Sequence, residues 1–481
     1  MSDEVEEVDV WFASSVLDTA STRVQRCRSR AGLSELFEIE LYLVRSEELP
    51  LDRDAVQELL RAPCAVAFGE HDAIGEPIYG VVREWELLDA TPGYQNAYRA
   101  IVVPRLWYLT RTVRSRVFQN VTVPDVVEAV LAEAGLGDGY TLALNGSYPT
   151  SEYVVQWEES DFDFVARLCE REGIFFCFDF AGGTDQIVFG DSNDAFADAL
   201  EPTIPYLVRR GTESVDEGIY LLGRRHRVVS HRVVVRDSNY RTPLVPLQNE
   251  ALVHDDGLGL VALYGDHFAD DAGASRIATI RAQELAVEEE VLFATGHLRS
   301  LRPGQTFELT SHPDGELDGQ RYLVVGAERR RRHPDGDDGD RFVLLPLGVP
   351  YRPPRVTALP RILGLMHARV DGEQDGTPAP IDDQGRYRVL LPFDGVGELG
   401  GRATRWIRRA QVYAGPAYGM HFPLHIGTEV LLAHLGGDPD RPVIVGAVPN
   451  PATASPVIDA NATQSIVRTK GNIVEEWEDD A

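Results

Sequence analysis

Along much of the chain the apolar residues recur at every second position, the period at which one face of a strand is buried and the other solvated. Phe37, Ile39, Leu41 and Leu43 alternate with Glu38, Glu40 and Tyr42, and strand-like runs occupy residues 64–68, 78–85 and 98–103. The first 110 residues therefore read as sheet, with one short helix at 52–60. Strand-like runs return at 174–178, 224–235, 298–310 and 321–327, whereas the polar, proline-bearing run 190–207 reads as a surface connection. Helical spacing, about 3.6 residues per turn, appears only locally. At 121–135, Pro124 suits a first turn, Val126, Val127, Val130, Leu131 and Ala134 form one stripe, and Gly135 can close the helix. At 160–173, Ser160 is placed as N-cap with Asp163 at the third position, and Phe164, Val165, Leu168 and Cys169 share a face ahead of Gly173. A third helix, 272–290, turns Ile277, Ala278, Ile280 and Leu285 toward a core.

The densest β signal lies at 386–450. Two apolar runs, 429–435 and 442–448, flank Gly436, Gly437, Asp438, Pro439, Asp440 and Arg441, residue types that reverse a chain. Runs at 386–394 and 406–413 add further strands, so four or five short strands fall within about 65 residues, the spacing of a small barrel. A proline-rich stretch at 349–355 reads as a stiff linker. The fold class expected is mainly β (α+β): a body at 1–350, a linker at 351–360, a barrel at 361–450 and a tail at 451–481.

Length and charge narrow the function. A chain of 481 residues exceeds what one core supports, so two to four domains are expected. A net charge of -30 opposes nucleic acid and anionic membranes as partners. The acidic N-terminus lacks a secretory pattern, and no apolar run of about 18 residues occurs, so cytoplasmic synthesis without stable membrane anchoring is expected. Cys27, Cys64, Cys169 and Cys177 show no C-x-x-C spacing and read as reduced, buried thiols. His226, His231 and His254 have no ligand-spaced neighbours, and the carboxylate-rich run 333–340 lacks the spacing of a calcium loop and reads as an exposed turn. No metal and no cofactor is expected. None of H-E-x-x-H, G-x-S-x-G or G-x-x-x-x-G-K-[ST] occurs, and the pairs His254-Asp255 and Asp266-His267 are ordinary loop neighbours.

Several motifs, in one order along the chain, resemble a known family. They are Gly32-Leu33-Ser34-Glu35-Leu36-Phe37, the segment 153–178, Arg302-Pro303-Gly304-Gln305, Arg321-Tyr322-Leu323-Val324, Leu391-Pro392-Phe393, Trp406-Ile407-Arg408 and Gly437-Asp438-Pro439-Asp440-Arg441-Pro442. Asn461-Ala462-Thr463-Gln464-Ser465 and Arg468-Thr469 complete the set. Together they resemble the VgrG spike proteins of type VI secretion systems, which are similar to the hub and central spike of contractile phage tails.

The resemblance implies a tail hub of two β-barrel-like domains with a few helices, then a small oligonucleotide/oligosaccharide-binding (OB) barrel and the start of a C-terminal needle. It implies a structural, non-enzymatic homotrimer whose partners are a hexameric tube protein, a tip-capping protein and secreted effectors, expelled when the contractile apparatus fires. The tail after the barrel is short for a needle, which is expected to be truncated or supplied by another chain. Trp406, Arg408, Gly437, Asp438, Pro439, Asp440, Arg441 and Pro442 are then expected at trimer or barrel-corner contacts. Two other classes are weighed against this. An OB-barrel hydrolase or glycan-handling enzyme needs an acid in an apolar cleft, for which Glu429 is the candidate. A single-stranded nucleic-acid module needs a basic aromatic groove, for which Arg402, Arg405, Arg408 and Arg409 around Trp406 are the candidates.

Overall fold

The computed structural model describes residues 8–47, 49–69, 74–91, 95–208, 217–332, 340–394 and 400–479. Of the carboxylate-rich run 333–340 only Asp340 is among them, and it is buried at the start of a strand, not in an exposed turn, because it faces two arginines at the seam described below. The chain forms two compact units, one of Met1–Thr112, Val123–Tyr148 and Asp161–Ala358, the other of Val113–Thr122, Pro149–Ser160 and Leu359–Ala481.

The first unit is built on a twelve-stranded sheet. Its first half is Val10–Ser14, Pro63–Phe68, Ile78–Thr91, Gln95–Val103, Glu38–Arg45 and Thr22–Gly32, each antiparallel to the next. The alternation read in the sequence explains the layering, because Ile39, Leu41 and Leu43 point into one core with Val66, Val82 and Val102. Thr22–Gly32 then pairs with Arg321–Arg332, from Gly32 opposite Gly326 to Arg26 opposite Arg332. Beyond this seam Asp340–Pro346, Glu290–His297 and Gly218–His226 continue the same sheet around a second core that includes Ile219, Leu292, Phe307, Val324 and Leu344. The two cores make two β-barrel-like halves of one sheet.

A buried charge cluster sits at the seam. Arg331 Nη1 lies 2.7 Å from Asp340 Oδ1, and Arg329 Nε lies 3.7 Å from the same oxygen. The Leu298 amide donates to Asp340 Oδ2 at 3.2 Å, and Arg329 Nη2 donates to the carbonyls of Leu298 and Leu301. The Arg329 guanidinium also lies over Phe68 of the first core at 4.7 Å and Phe342 of the second at 5.7 Å. Burial lowers its pKa below the ordinary arginine value.

Four helices fall near their expected places. Arg53–Leu59 is capped by Asp52, whose Oδ1 accepts from Ala55 N at 2.8 Å, and Val123–Glu133 ends ahead of Gly135 at φ 74°. Asp161–Glu172 ends ahead of Gly173 at φ 71°. Asp271–Ala286 stops earlier than the 272–290 expected from pattern, because a strand begins at Glu290, and it covers a small sheet of Leu247–Leu252, Arg232–Asp237 and Leu260–Tyr264. All four cysteines are free and buried, and burial pushes the thiols of Cys27, Cys64 and Cys177 up to about 12.

Other expectations fail for identifiable reasons. The run 190–207 contains the strand Ala197–Pro205, which pairs in parallel with Gln305–Thr310. Most of its side chains are exposed, so apolar alternation never marked it. The single strand expected at 224–235 is two: Gly218–His226 joins the main sheet and Arg232–Asp237 the small one. Of 298–310 only Gln305–Thr310 is extended, following a turn with Gly304 at φ 88°.

Residues 351–357 are fastened to the first unit. The Tyr351 amide donates to Asn193 Oδ1 at 2.9 Å, Arg352 Nη1 to the Gly173 carbonyl at 2.9 Å, and Thr357 Oγ1 to Glu170 Oε1 at 2.6 Å. At the other end of the chain, Gln464–Arg468 and Val474–Glu478 pair as an antiparallel hairpin that is largely exposed.

Replacing Asp340 by Ala removes the buried carboxylate that Arg329 and Arg331 share. We expect the unfolding free energy to fall by about 3–5 kcal/mol, read as a shift of the denaturant midpoint at unchanged slope.

Candidate functional site: the stapled turn of the OB barrel

The second unit carries a four-stranded sheet in the order Val389–Leu390, Leu365–Val370, Glu429–His434, Pro442–Ala447. Strand 386–394 is therefore much shorter than expected, and 406–413 takes part only through single bridges, Ile407 to Tyr387 and Arg409 to Ile444. Those bridges tie the outer strand Pro442–Ala447, and the residues just ahead of Val389–Leu390, to one irregular segment. Tyr387, Val389, Ile407, Val430, Leu432 and Ile444 fill the interior together with Tyr153 and Val155. Val155 belongs to an antiparallel pair of Val113–Phe118 with Val154–Ser160, and Tyr153 directly precedes the second strand. Trp157 of that pair meets Phe393 edge-on at 5.0 Å.

The turn between Glu429–His434 and Pro442–Ala447 is where the expected site residues gather. Gly436 and Gly437 adopt φ of 64° and 77°, a region that favours glycine. The Gly436 carbonyl accepts from Arg361 Nη1 at 2.6 Å and the Gly437 carbonyl from the Ile362 amide at 2.8 Å. The turn closes on itself through Leu435 N to Arg441 O at 3.0 Å and Arg441 N to Asp438 O at 3.0 Å. Asp438 Oδ1 accepts from the Asp440 amide at 3.0 Å, and its Oδ2 lies 3.4 Å from Arg441 Nε. Pro439, Asp440 and Pro442 are buried.

Asp440 fixes this turn to the rest of the unit. Its Oδ1 accepts from the Val155 amide at 2.7 Å, across 285 positions of sequence, and its carbonyl accepts from Arg405 Nη2 at 2.9 Å. The Arg405 guanidinium also lies over the Tyr153 ring at 5.3 Å. Tyr153 is buried and its hydroxyl pKa is raised, by burial first and by the Asp440 charge second. Trp406 and Arg408 are not part of this turn, although the Arg408 carbonyl accepts from the Ile444 amide at 2.9 Å. The Trp406 ring is half-buried beneath Arg388 at 4.5 Å, and the Arg408 side chain is exposed.

Sequence pattern missed Tyr153, Val155, Arg361, Ile362 and Arg405 as partners of the turn. Only the apolar run Tyr153-Val154-Val155 hinted at a buried strand, and nothing in it pointed to residue 440.

Neither alternative chemistry finds its geometry. Glu429 is held as a carboxylate, with Oε2 accepting from Asn450 Nδ2 at 2.7 Å and Oε1 2.5 Å from His367 Nδ1. The Asn450 bond first, and the His367 bond second, draw its pKa below the ordinary carboxylate range, the opposite of what a general acid needs. The four arginines do not line one groove. Arg405 and Arg409 donate to the backbone carbonyls of Asp440 and Phe422, while the Arg402 and Arg408 side chains are exposed.

The phage tail baseplate hub (GPD) family matches residues 30–333, and the type VI secretion system/phage-baseplate injector OB domain matches residues 379–448. The type VI secretion system spike protein VgrG1b of Pseudomonas aeruginosa is 31% identical over 95% of this chain, which spans 63% of that relative's length. Among solved structures, the E. coli c3393 protein, a component of the type VI secretion system, superposes with a TM-score of 0.68 at 23% identity, over 91% of this chain and 99% of that one. A chain of the Francisella PdpA-VgrG complex gives a TM-score of 0.61 at 9% identity over 98% of this chain and 83% of that one. At such identities the likeness is one of fold.

Two outcomes follow from the turn and its surroundings. Replacing Asp440 by Ala removes the carboxylate that accepts from the buried Val155 amide and should lower stability by about 1–3 kcal/mol, with a smaller loss for Asp440→Asn, as read by thermal or denaturant melting. Because the pKa of Glu429 is depressed in the folded chain, its contribution is present above the unfolded carboxylate range and disappears as pH falls through the folded value. The melting difference between the native chain and Glu429→Gln should accordingly be largest near neutral pH and close in acid.

Proposed function

The chain belongs to the phage tail baseplate hub family, and from that premise we propose that it is the structural hub and spike of a contractile injection machine of the type VI secretion kind. One observation carries the proposal: the hub region and the injector OB domain follow one another on a single chain, in a sequence that aligns over nearly its whole length with a spike protein.

In this reading three copies assemble around an axis. Each contributes two barrel-like halves of one sheet, so a trimer presents six, the number that a hexameric tube ring requires. The OB barrel carries the assembly toward its tip, and the exposed hairpin of Gln464–Arg468 with Val474–Glu478 begins a needle in which other copies cover it. A lone two-stranded hairpin is marginal in water, which supports such a covering. The function is mechanical, with no bond made or broken by the described residues. A piercing device must keep its shape under axial load. The buried Arg329, Asp340 and Arg331 cluster and the Asp440 staple are rigid joints suited to that.

Tube protein, a tip-capping protein and secreted effectors are the partners in this role. No helix among the described residues is long and apolar enough to cross a membrane. We place the chain in the cytoplasm until the apparatus assembles and fires.

Light scattering of the purified chain at micromolar concentration should return the mass of a trimer. A clean monomer would overturn the proposal.

A further inference from the structure

A small cavity adjoins the seam of the first unit, and its chemistry is one-sided. It offers about 30 Å³, room for one or two water-sized occupants and too little for a metabolite. Phe37, Ile39, Ile78, Phe178, Phe180 and Pro303 form much of its wall, and Arg302 and Arg329 border it.

Both arginine side chains are buried, at 9% and 3% exposure. Arg302 Nη2 donates to Glu76 Oε2 at 2.7 Å, and its guanidinium lies over the Phe180 ring at 5.0 Å. Arg329 Nη2 donates to the carbonyls of Leu298 and Leu301. Each nevertheless keeps a donor in hand. Arg302 Nη1 and Arg329 Nε are buried and have no hydrogen-bond partner among the described residues. Asp340 does not serve Arg329 Nε, because its Oδ1 lies 3.7 Å away and accepts instead from Arg331 Nη1 at 2.7 Å. Burial first lowers the Arg329 pKa, Asp340 opposes that, and the neighbouring charges of Arg331 and Arg302 lower it further. Positive charge is therefore crowded at the cavity. Buried donors without acceptors are rare in native interiors, since each carries a desolvation cost.

The wall decides what can accept from them. A water would take both bonds but must then place two protons of its own. Apart from the arginines, the polar side chains of the wall are the Ser29 hydroxyl and the Cys177 thiol. Burial pushes that thiol up to about 12, so it is protonated and can donate. Guanidinium groups, being weakly hydrated, suit a partner that also leaves water readily. We propose that this cavity binds one halide-sized monoanion, such as chloride, held by Arg302 Nη1 and Arg329 Nε. An anion accepts from every polar side chain of the wall and donates nothing. It completes the bonding of Arg329 at the seam, offsets the crowded positive charge, and links the stability of the hub unit to halide concentration. The claim does not depend on the trimeric reading.

The test uses the full chain at fixed ionic strength, with bromide exchanged for gluconate, an anion too large for the cavity. The melting temperature should rise with bromide once its concentration passes the dissociation constant. Arg302→Met removes one charge-assisted bond and should shift that response to about tenfold higher bromide or beyond. Glu76, a third exposed, stays solvated in that variant. Ala31→Val narrows the cavity with both arginines in place and should abolish the response, which keeps the test sound should Arg302→Met fail to fold. Crystals soaked in bromide should show an anomalous peak beside both nitrogens. Density at the site without an anomalous signal would overturn the proposal. So would a native chain indifferent to bromide, or a response that both variants share.

Discussion

A single buried guanidinium holds the larger unit together. Arg329 lies between Phe68 of one core and Phe342 of the other and is within ion-pair distance of Asp340, which it shares with Arg331. Among buried groups an ion cluster is weak evidence of stability but tolerates few geometries, since each hydrogen-bonding group must find its partner or suffer desolvation. Strand Arg321–Arg332 must therefore sit at one register against Thr22–Gly32, which is what makes one sheet of two cores. A purely apolar seam could slide by two residues and remain buried.

The smaller unit uses the same device at its own scale. Asp440 lies in a turn made possible by Gly436 and Gly437, and its carboxylate accepts from an amide of the strand at 154–160. The barrel is thus completed by strands that the chain laid down long before it reached the barrel's own sequence. Arg405, between the Asp440 carbonyl and the Tyr153 ring, closes the arrangement. These contacts fix shape. In the same barrel, Glu429 is kept ionised by Asn450 and His367, and the basic side chains near Trp406 are dispersed among backbone carbonyls and solvent.

Charges are buried where strands must keep register, and apolar groups are exposed on the segment 411–423 and around Leu365 and Val445. Both places are costly for a solitary chain, because water meets apolar surface there.

Local pattern alone determined much of this protein. Alternation at Phe37 to Leu43, the stripe of Val126, Val127, Val130 and Leu131, and the glycines at 135 and 173 located strands and helices because each signal is carried by neighbours within a few residues. The turn Gly437-Asp438-Pro439-Asp440-Arg441-Pro442 was legible as a corner for the same reason. Pattern failed for Ala197–Pro205, whose mostly exposed side chains hide its parallel pairing, and for Gly218–His226 and Arg232–Asp237, whose apolar run conceals a change of sheet. Only the tertiary structure decided that Arg329 joins two cores and that Val155 is the partner of Asp440. Those facts depend on groups brought together across 285 residues in one case and across the two cores of one sheet in another, and a buried charge or amide does not reveal its partner until the backbone has placed both.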